Sequence, residues 1–155
     1  MKKKDTEFMK IAYKEALIAM NKGEVPVGAV IVKNDKIIGK GHNMVETLKD
    51  ATAHAEIIAI TAASRYMNNW RLDGSTLYVT LEPCIMCAGA IILSRISRVV
   101  YGTKDEVLGA FGSVLNIMNF NPKRKLAIIG GVMEKESADL LRQFFKERRR
   151  DGRAD

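Results

Sequence analysis

Metal-binding side chains are scarce in this chain, yet they fall into two short clusters. His54, one of only two histidines, stands in TAHAE at residues 52–56, two positions before Glu56. The only two cysteines, Cys84 and Cys87, stand in EPCIMC at residues 82–87. Thiolate and imidazole are the usual zinc ligands, and catalytic zinc sites use three protein ligands so that a fourth position stays open for a reactive water. Two thiolates also neutralise the ion's charge, and such an ion brings the pKa of bound water from ~15.7 towards ~7. Glu56 has another role. Residues i and i+2 do not face each other on a helix, so it is a poor co-ligand beside His54. With His54 at the very first helical position, both side chains reach one pocket, where a carboxylate acts as general base and, once protonated, as general acid.

Each half of this constellation is weak alone. A Cys-x-x-Cys after a strand is also the layout of a dithiol redox site. A closed structural zinc site is a further rival, with His42 as fourth ligand. Strand alternation opposes it, because His42 faces away from the pocket if Asn43 faces into it. Together, His-x-Glu at one junction and Pro-Cys-x-x-Cys at the next favour catalytic zinc.

The elements that must position these residues are legible. Phe8, Ile11, Ala12, Ala16 and Met20 recur at helical spacing, with Gly23 as the stop. VGAVIVK and KIIGKGHN flank Asn34-Asp35 as a hairpin. Residues 55–67 form a largely buried helix starting at or near His54. TLYVTL at residues 76–81 is a strand, and Pro83 suits the first turn of the helix that carries both cysteines and runs from 85 to 94. The helix N-terminus there favours thiolates, and i, i+3 spacing puts both sulfurs on one face. RVVYG and LAIIG are further strands, with a short helix expected over 114–118 between them. Residues 134–150 form the last helix. The expected fold is α/β, a three-layer α/β/α sandwich around about five strands, with both clusters at strand-to-helix junctions where ligands gather in open sheets.

The chain has 155 residues, 47% hydrophobic and 28% charged, which fits one globular domain over 1–155. No apolar run approaches the ~20 residues of a membrane span, and no signal-peptide core follows MKKKDTEF. With only two cysteines, three apart, a cytoplasmic location is expected. The net charge of +7 gathers at the ends, in Lys2, Lys3 and Lys4 and in Arg142, Lys146, Arg148, Arg149, Arg150 and Arg153. Residues 134–155 are thus a basic C-terminal helix and tail, either a solvated helix end or a polyanion footprint.

The pattern H-x-E…P-C-x-x-C is the established signature of zinc-dependent nucleobase deaminases. Beyond it, EVPVGAV at 24–30, the Asn of GHN, TAHAE, LYVTLEPCIMCAGA at 77–90, SRISRVVYG at 94–102, GAFGS at 109–113 and LLRQFFKERR at 140–149 resemble the bacterial tRNA-specific adenosine deaminases. The resemblance spans nearly the whole chain. It implies a cytidine deaminase-like fold and hydrolytic conversion of adenosine to inosine at the wobble position of a tRNA anticodon loop, by a homodimer with one zinc per subunit and no organic cofactor. By position, His54, Cys84 and Cys87 hold zinc and Glu56 transfers protons. Asn43 and the backbone near Ala55 read the flipped adenine, with Val27 packed against it. Asp105 and Phe145 match positions that contact the anticodon loop, and the segment after the Cys-x-x-Cys helix helps build the dimer.

Two departures lie near the expected RNA groove: Phe111 where small residues are common, and NPKRK at 121–125 in place of Asn-His-Arg. The rival enzyme is a deaminase of cytidine, deoxycytidylate or free guanine, which shares the zinc clusters; the basic C-terminal helix favours RNA. On that helix Ala138, Leu141, Phe144 and Phe145 share a face centred on Leu141, so one ring is expected in the core. Arg148, on the same face, and Arg149 are expected to overhang towards a partner, with Phe145 as the exposed ring.

Overall fold

The computed structural model describes residues 2–120 and 123–152, so Arg153 and the first two residues of the NPKRK segment lie outside the described residues. The first helix, α1 (Lys2–Asn21), buries Met9, Ala12, Ala16 and Ala19 at three- and four-residue spacing. Strands β1 (Gly28–Lys33) and β2 (Lys36–His42) are joined by Asn34 and Asp35 at φ 51 and 60, the left-handed pair that a tight hairpin turn requires. Then come α2 (Val45–Leu48), α3 (Ala55–Met67), β3 (Thr76–Leu81), α4 (Ile85–Leu93), β4 (Arg98–Thr103), a 3-10 turn (Ile117–Phe120), β5 (Ala127–Ile129) and α5 (Glu134–Arg150).

The sheet order is β2-β1-β3-β4-β5, with β1 antiparallel to both neighbours and β3, β4 and β5 parallel. Strand alternation separates two cores. Val30, Val32, Tyr78 and Val100 meet α1 on one face, where α5 also packs. Ile31, Leu77, Val79 and Val99 meet α3 and α4 on the other. The expected α/β/α layering with five strands is observed.

Helix α3 lies unusually close to β2. A Cβ at Gly39 would stand 2.6 Å from the Ala59 carbonyl oxygen, and one at Gly41 would stand 2.5 Å from that of Ala55. Alanines at 55, 59 and 63 complete the contact, each fully buried. Side-chain-free backbone on one side and methyl groups on the other let helix and strand touch, which fixes the helix's depth as well as its direction.

Four expectations need correction. The helix expected over 114–118 is the 3-10 turn Ile117–Phe120, because the Asn116 side chain accepts a hydrogen bond from the Met118 amide at 3.1 Å and tightens the chain there. Pro83 precedes the helix and does not belong to its first turn; Cys84 takes the N-cap in extended conformation. The short α2 intervenes between β2 and His54, so that cluster follows a helix and not a strand. On α5 the buried face is Ser137, Leu140 and Phe144, one residue round from the expected centre at Leu141. Ser137 sets this rotation: a Cβ at Gly102 of β4 would stand 2.7 Å from its Oγ, so the helix meets the strand at that point.

A buried ion pair ties α1 to the sheet. Arg98 donates to both carboxylate oxygens of Asp5 at 2.9 and 2.6 Å, and the Tyr78 hydroxyl donates to Asp5 at 2.8 Å. The Arg98 guanidinium holds the Asp5 carboxyl below its ordinary range. Removing one partner of such a pair strands the other, so Asp5→Ala is expected to lower unfolding stability at neutral pH towards the lower end of ~3–5 kcal/mol, Arg98 keeping some water contact. A depressed carboxyl stabilises above its unfolded value near ~3.9 and loses that contribution as pH falls through the folded value. Denaturant titrations of both proteins should therefore differ most near pH 7 and converge below pH ~4.

Candidate metal and active site

Two helix N-termini converge on one point. His54 is the N-cap residue of α3 in extended conformation, φ −74 and ψ 155, and Cys84 holds the same place on α4 at φ −73 and ψ 174. Neither side chain caps its own helix. Both are left to project into the space between, where the positive ends of the helix dipoles favour anionic groups. Cys87, three residues on, turns its sulfur to the same side and is fully buried.

The His54 Nδ1 lies 3.7 Å from Cys84 Sγ and 3.5 Å from Cys87 Sγ. A tetrahedral ion with bonds of ~2.3 Å to sulfur and ~2.0–2.1 Å to nitrogen separates N and S by ~3.6 Å. The donor set therefore fits zinc in kind and in spacing, and among the described residues it is the His/Cys/Asp/Glu cluster able to hold a metal ion. The electrostatics agree. Contact with the Cys87 thiol, helped by His54, lowers the Cys84 thiol to about 4, while the same contact pushes Cys87 up. Two adjacent sulfurs resist carrying two negative charges, the state that a divalent cation stabilises.

Glu56 is 4% exposed, and burial pushes its carboxyl up to about 7. It sits in the first turn of α3 beside the three donors without belonging to the set that converges. A carboxyl tuned towards neutrality beside a metal-ligand cluster suits repeated proton uptake and release.

A cavity of about 890 Å³ opens from this point. Of the residues singled out in the sequence, it is lined by His54, Glu56 and Cys84 and by Val27, Asn43, Ala55, Asp105, Phe145 and Arg148. Arg149 is exposed on α5 and does not reach it. Asn43 is buried, donating to the Val25 carbonyl and accepting from the Val45 amide, both at 3.3 Å. An amide side chain has two donors and two lone pairs, so each end keeps capacity for a ligand. The Asp105 carboxylate accepts the amides of Val107 and Leu108 at 2.9 and 3.1 Å, which shapes its own loop. On α5, Phe144 is the core ring and Phe145 the half-buried one facing the cavity. Arg148 is also half-buried, with its guanidinium 5.5 Å from the Phe144 ring centre.

His42 points to the other face of the sheet, its Nδ1 3.3 Å from Glu15 Oε1 and its Nε2 3.3 Å from Lys22 Nζ. Phe111 was expected near an RNA groove, but its ring is 6% exposed and fills the core on the α3/α4 side. In the segment 121–125, Arg124 reaches back to the Ile92 carbonyl at the end of α4, at 3.1 Å.

Sequence reasoning missed two buried carboxylates. Glu24, 1% exposed, accepts the amides of Glu46 and Thr47 at 3.0 and 2.6 Å and the Thr47 hydroxyl at 2.6 Å, anchoring α2 along one wall of the cavity. Glu82, also 1% exposed, gathers the opposite wall, residues 105–113. The available signal was position: Glu82 directly precedes Pro83 and Glu24 opens the apolar run EVPVGAV, where an ionised side chain must find donors.

Residues 2–103 match the family model described as the cytidine and deoxycytidylate deaminase zinc-binding region. The chain is 46% identical to a tRNA-specific adenosine deaminase of Bacillus subtilis, over 97% of this chain and 94% of that one. It is 49% identical to one of Aquifex aeolicus, over 92% and 94%. A solved structure from a study of A-to-I editing by tRNA:A34 deaminases at the wobble position superposes with a TM-score of 0.83 at 41% identity, over 87% of this chain and 99% of that one.

Since His42 is held by α1 on the far face, His42→Ala should leave metal per chain unchanged when measured by elemental mass spectrometry. Loss of the metal would put His42 in the ligand set.

Proposed function

The chain belongs to the cytidine and deoxycytidylate deaminase zinc-binding family, and we propose that it hydrolytically deaminates adenosine to inosine at the wobble position of a tRNA anticodon. One observation carries the chemistry: the buried Glu56 carboxyl stands against a His/Cys/Cys donor set without joining it. The relatives named for tRNA adenosine deamination, matched nearly end to end, support RNA over free bases.

His54 Nδ1 and the sulfurs of Cys84 and Cys87 would hold one zinc per subunit, which when bound supplies the Lewis acidity that makes water nucleophilic near neutral pH. The proton work falls to Glu56. It takes a proton from the attacking water and delivers it to N1 of adenine as the water oxygen bonds to C6. The carboxylate then takes the proton of the new C6 hydroxyl and passes it to the amino group, the C6–N6 bond breaks as the C6 carbonyl forms, and ammonia leaves. Asn43 and the Ala55 backbone orient the base, and Val27 packs against its face. A base within a stack cannot enter such a cavity, so the nucleotide is splayed out of the anticodon loop first. Phe145, Arg148 and Asp105 at the mouth, with Arg149 beyond it, contact the flanking RNA. No organic cofactor takes part. A tRNA-modifying enzyme works where tRNA does, in the cytoplasm, and residues 1–155 act as one catalytic domain.

The active form is a homodimer. Helix α4, IMCAGAIIL, carries no charge, and its outward side leaves Ile85 56% and Leu93 76% exposed. A two-turn helix of this kind is a self-association surface, not a solvated one. Leu93→Asp should convert dimer to monomer by light scattering, and an unchanged mass would place the interface elsewhere.

Mass analysis tests the reaction. An anticodon stem-loop incubated with the protein should gain about 1 Da at one adenosine, while free adenosine, cytidine and guanine stay unchanged. Glu56→Ala should keep its zinc and lose at least ~10⁴-fold in turnover, because one group serves several transfers. Zinc loss in that variant would make Glu56 a ligand and remove its assigned role.

A further inference from the structure

Glu82 lies two residues before Cys84 and lines the cavity, which makes it a tempting second acid or base. Its hydrogen bonds argue otherwise. Oε1 accepts the Asp105 amide at 3.2 Å and the Ser113 hydroxyl; Oε2 accepts the amides of Phe111 at 3.0 Å and Ser113 at 3.2 Å. An ionised carboxylate offers about four acceptor sites, and four donors occupy them. None remains for a substrate.

All four donors belong to one loop, which forms one wall of the cavity through Asp105, Glu106, Val107 and Leu108. The same loop is pinned a second time to the cysteine segment, by the Ala110 amide on the Pro83 carbonyl at 2.9 Å and by a bridge between Gly109 and Cys84. Gly109 shows how closely the parts meet: a Cβ there would stand 2.6 Å from the Glu82 carboxylate and 2.4 Å from the Asp105 carbonyl oxygen. The wall thus has its distance from the donor set fixed by these main-chain contacts together with the Glu82 carboxylate. Charge-assisted hydrogen bonds to buried amides are the strong kind, and three of them and a hydroxyl counterpart meet on this one carboxylate.

We propose that Glu82 is a positioning residue: its carboxylate holds residues 105–113 against the cysteine segment and so sets how the target nucleotide is seated, without moving protons. The role rests on the deaminase reading above, but its structural half can be measured apart from it.

The test uses the zinc-loaded full chain. Glu82→Gln keeps the shape and replaces one acceptor oxygen with a donor that faces N–H groups. Amide exchange at Phe111 and Ser113 should quicken by ~10–100-fold, since hydrogen bonds to a charged acceptor are the stronger kind and losing one frees the amide locally. KM for the anticodon stem-loop should rise ~10-fold or more while kcat falls less than ~3-fold, with zinc content unchanged. Glu82→Asp should recover part of both effects. Ser113→Ala, which removes one donor of the four, should shift both in the same direction by less; if Glu82→Gln does not fold, this variant decides. Wild-type exchange and KM would overturn the proposal. So would a fall in kcat alone, which would make Glu82 a proton carrier, or loss of zinc, which would make it a support for the ligands. A wild-type protein inactive on the stem-loop would sink the substrate assignment instead, and the exchange rates would still judge Glu82.

Discussion

The contact between α3 and β2 is the constraint on which the site depends. His54 and the cysteines come from two helices with β3 between them in the sequence, and their donor atoms must meet within a few tenths of an ångström of a tetrahedral spacing. Nothing in either cluster can enforce that. The enforcement comes from Gly39 and Gly41, which let α3 settle until its alanine face touches the strand backbone. With the depth of α3 fixed, its first residue is fixed too, and the side chain of the N-cap points where α4 presents its own.

Around that point the walls are held by a different means. Glu24 and Glu82 are each enclosed by apolar surroundings, and each is satisfied mainly by backbone amides from a distant segment. Desolvating a carboxylate is costly, and the cost makes these contacts specific, because a loop that drifted away would leave a buried charge without donors. The cavity walls are therefore tied down by buried hydrogen bonds, whereas Val107 and Leu108 towards its mouth are 78% and 57% exposed.

Much of this was legible beforehand, for physical reasons. Helices 55–67 and 134–150 and strand 76–81 appear at their expected bounds, because each is a periodic or apolar run ended by a clear breaker. His54, Cys84 and Cys87 stood out because rare residue types leave few alternatives. What was hidden depends on partners without a side-chain signature. Glu82 binds amides 29 and 31 residues away, and any sequence supplies amides. The four-residue α2 is too short to show a period. Leu140 and Leu141 are equally apolar, and only the meeting of Ser137 with Gly102 decides which of them turns inward. Phe111 was misplaced because its ring turns into the core while its amide faces Glu82.

The loop over 105–113 is anchored by its main-chain amides, by the Ser113 hydroxyl and Asp105 carboxylate, and by the buried Phe111 ring. Its outward side chains at 106, 107 and 108 consequently carry little of its conformation. Replacing them changes what the mouth of the cavity displays and leaves the path of the backbone intact. That separation makes these three positions a natural region for diversification, in evolution or in a laboratory library. New flanking-sequence preferences can be explored there one residue at a time, while the chemistry behind the wall is inherited unaltered.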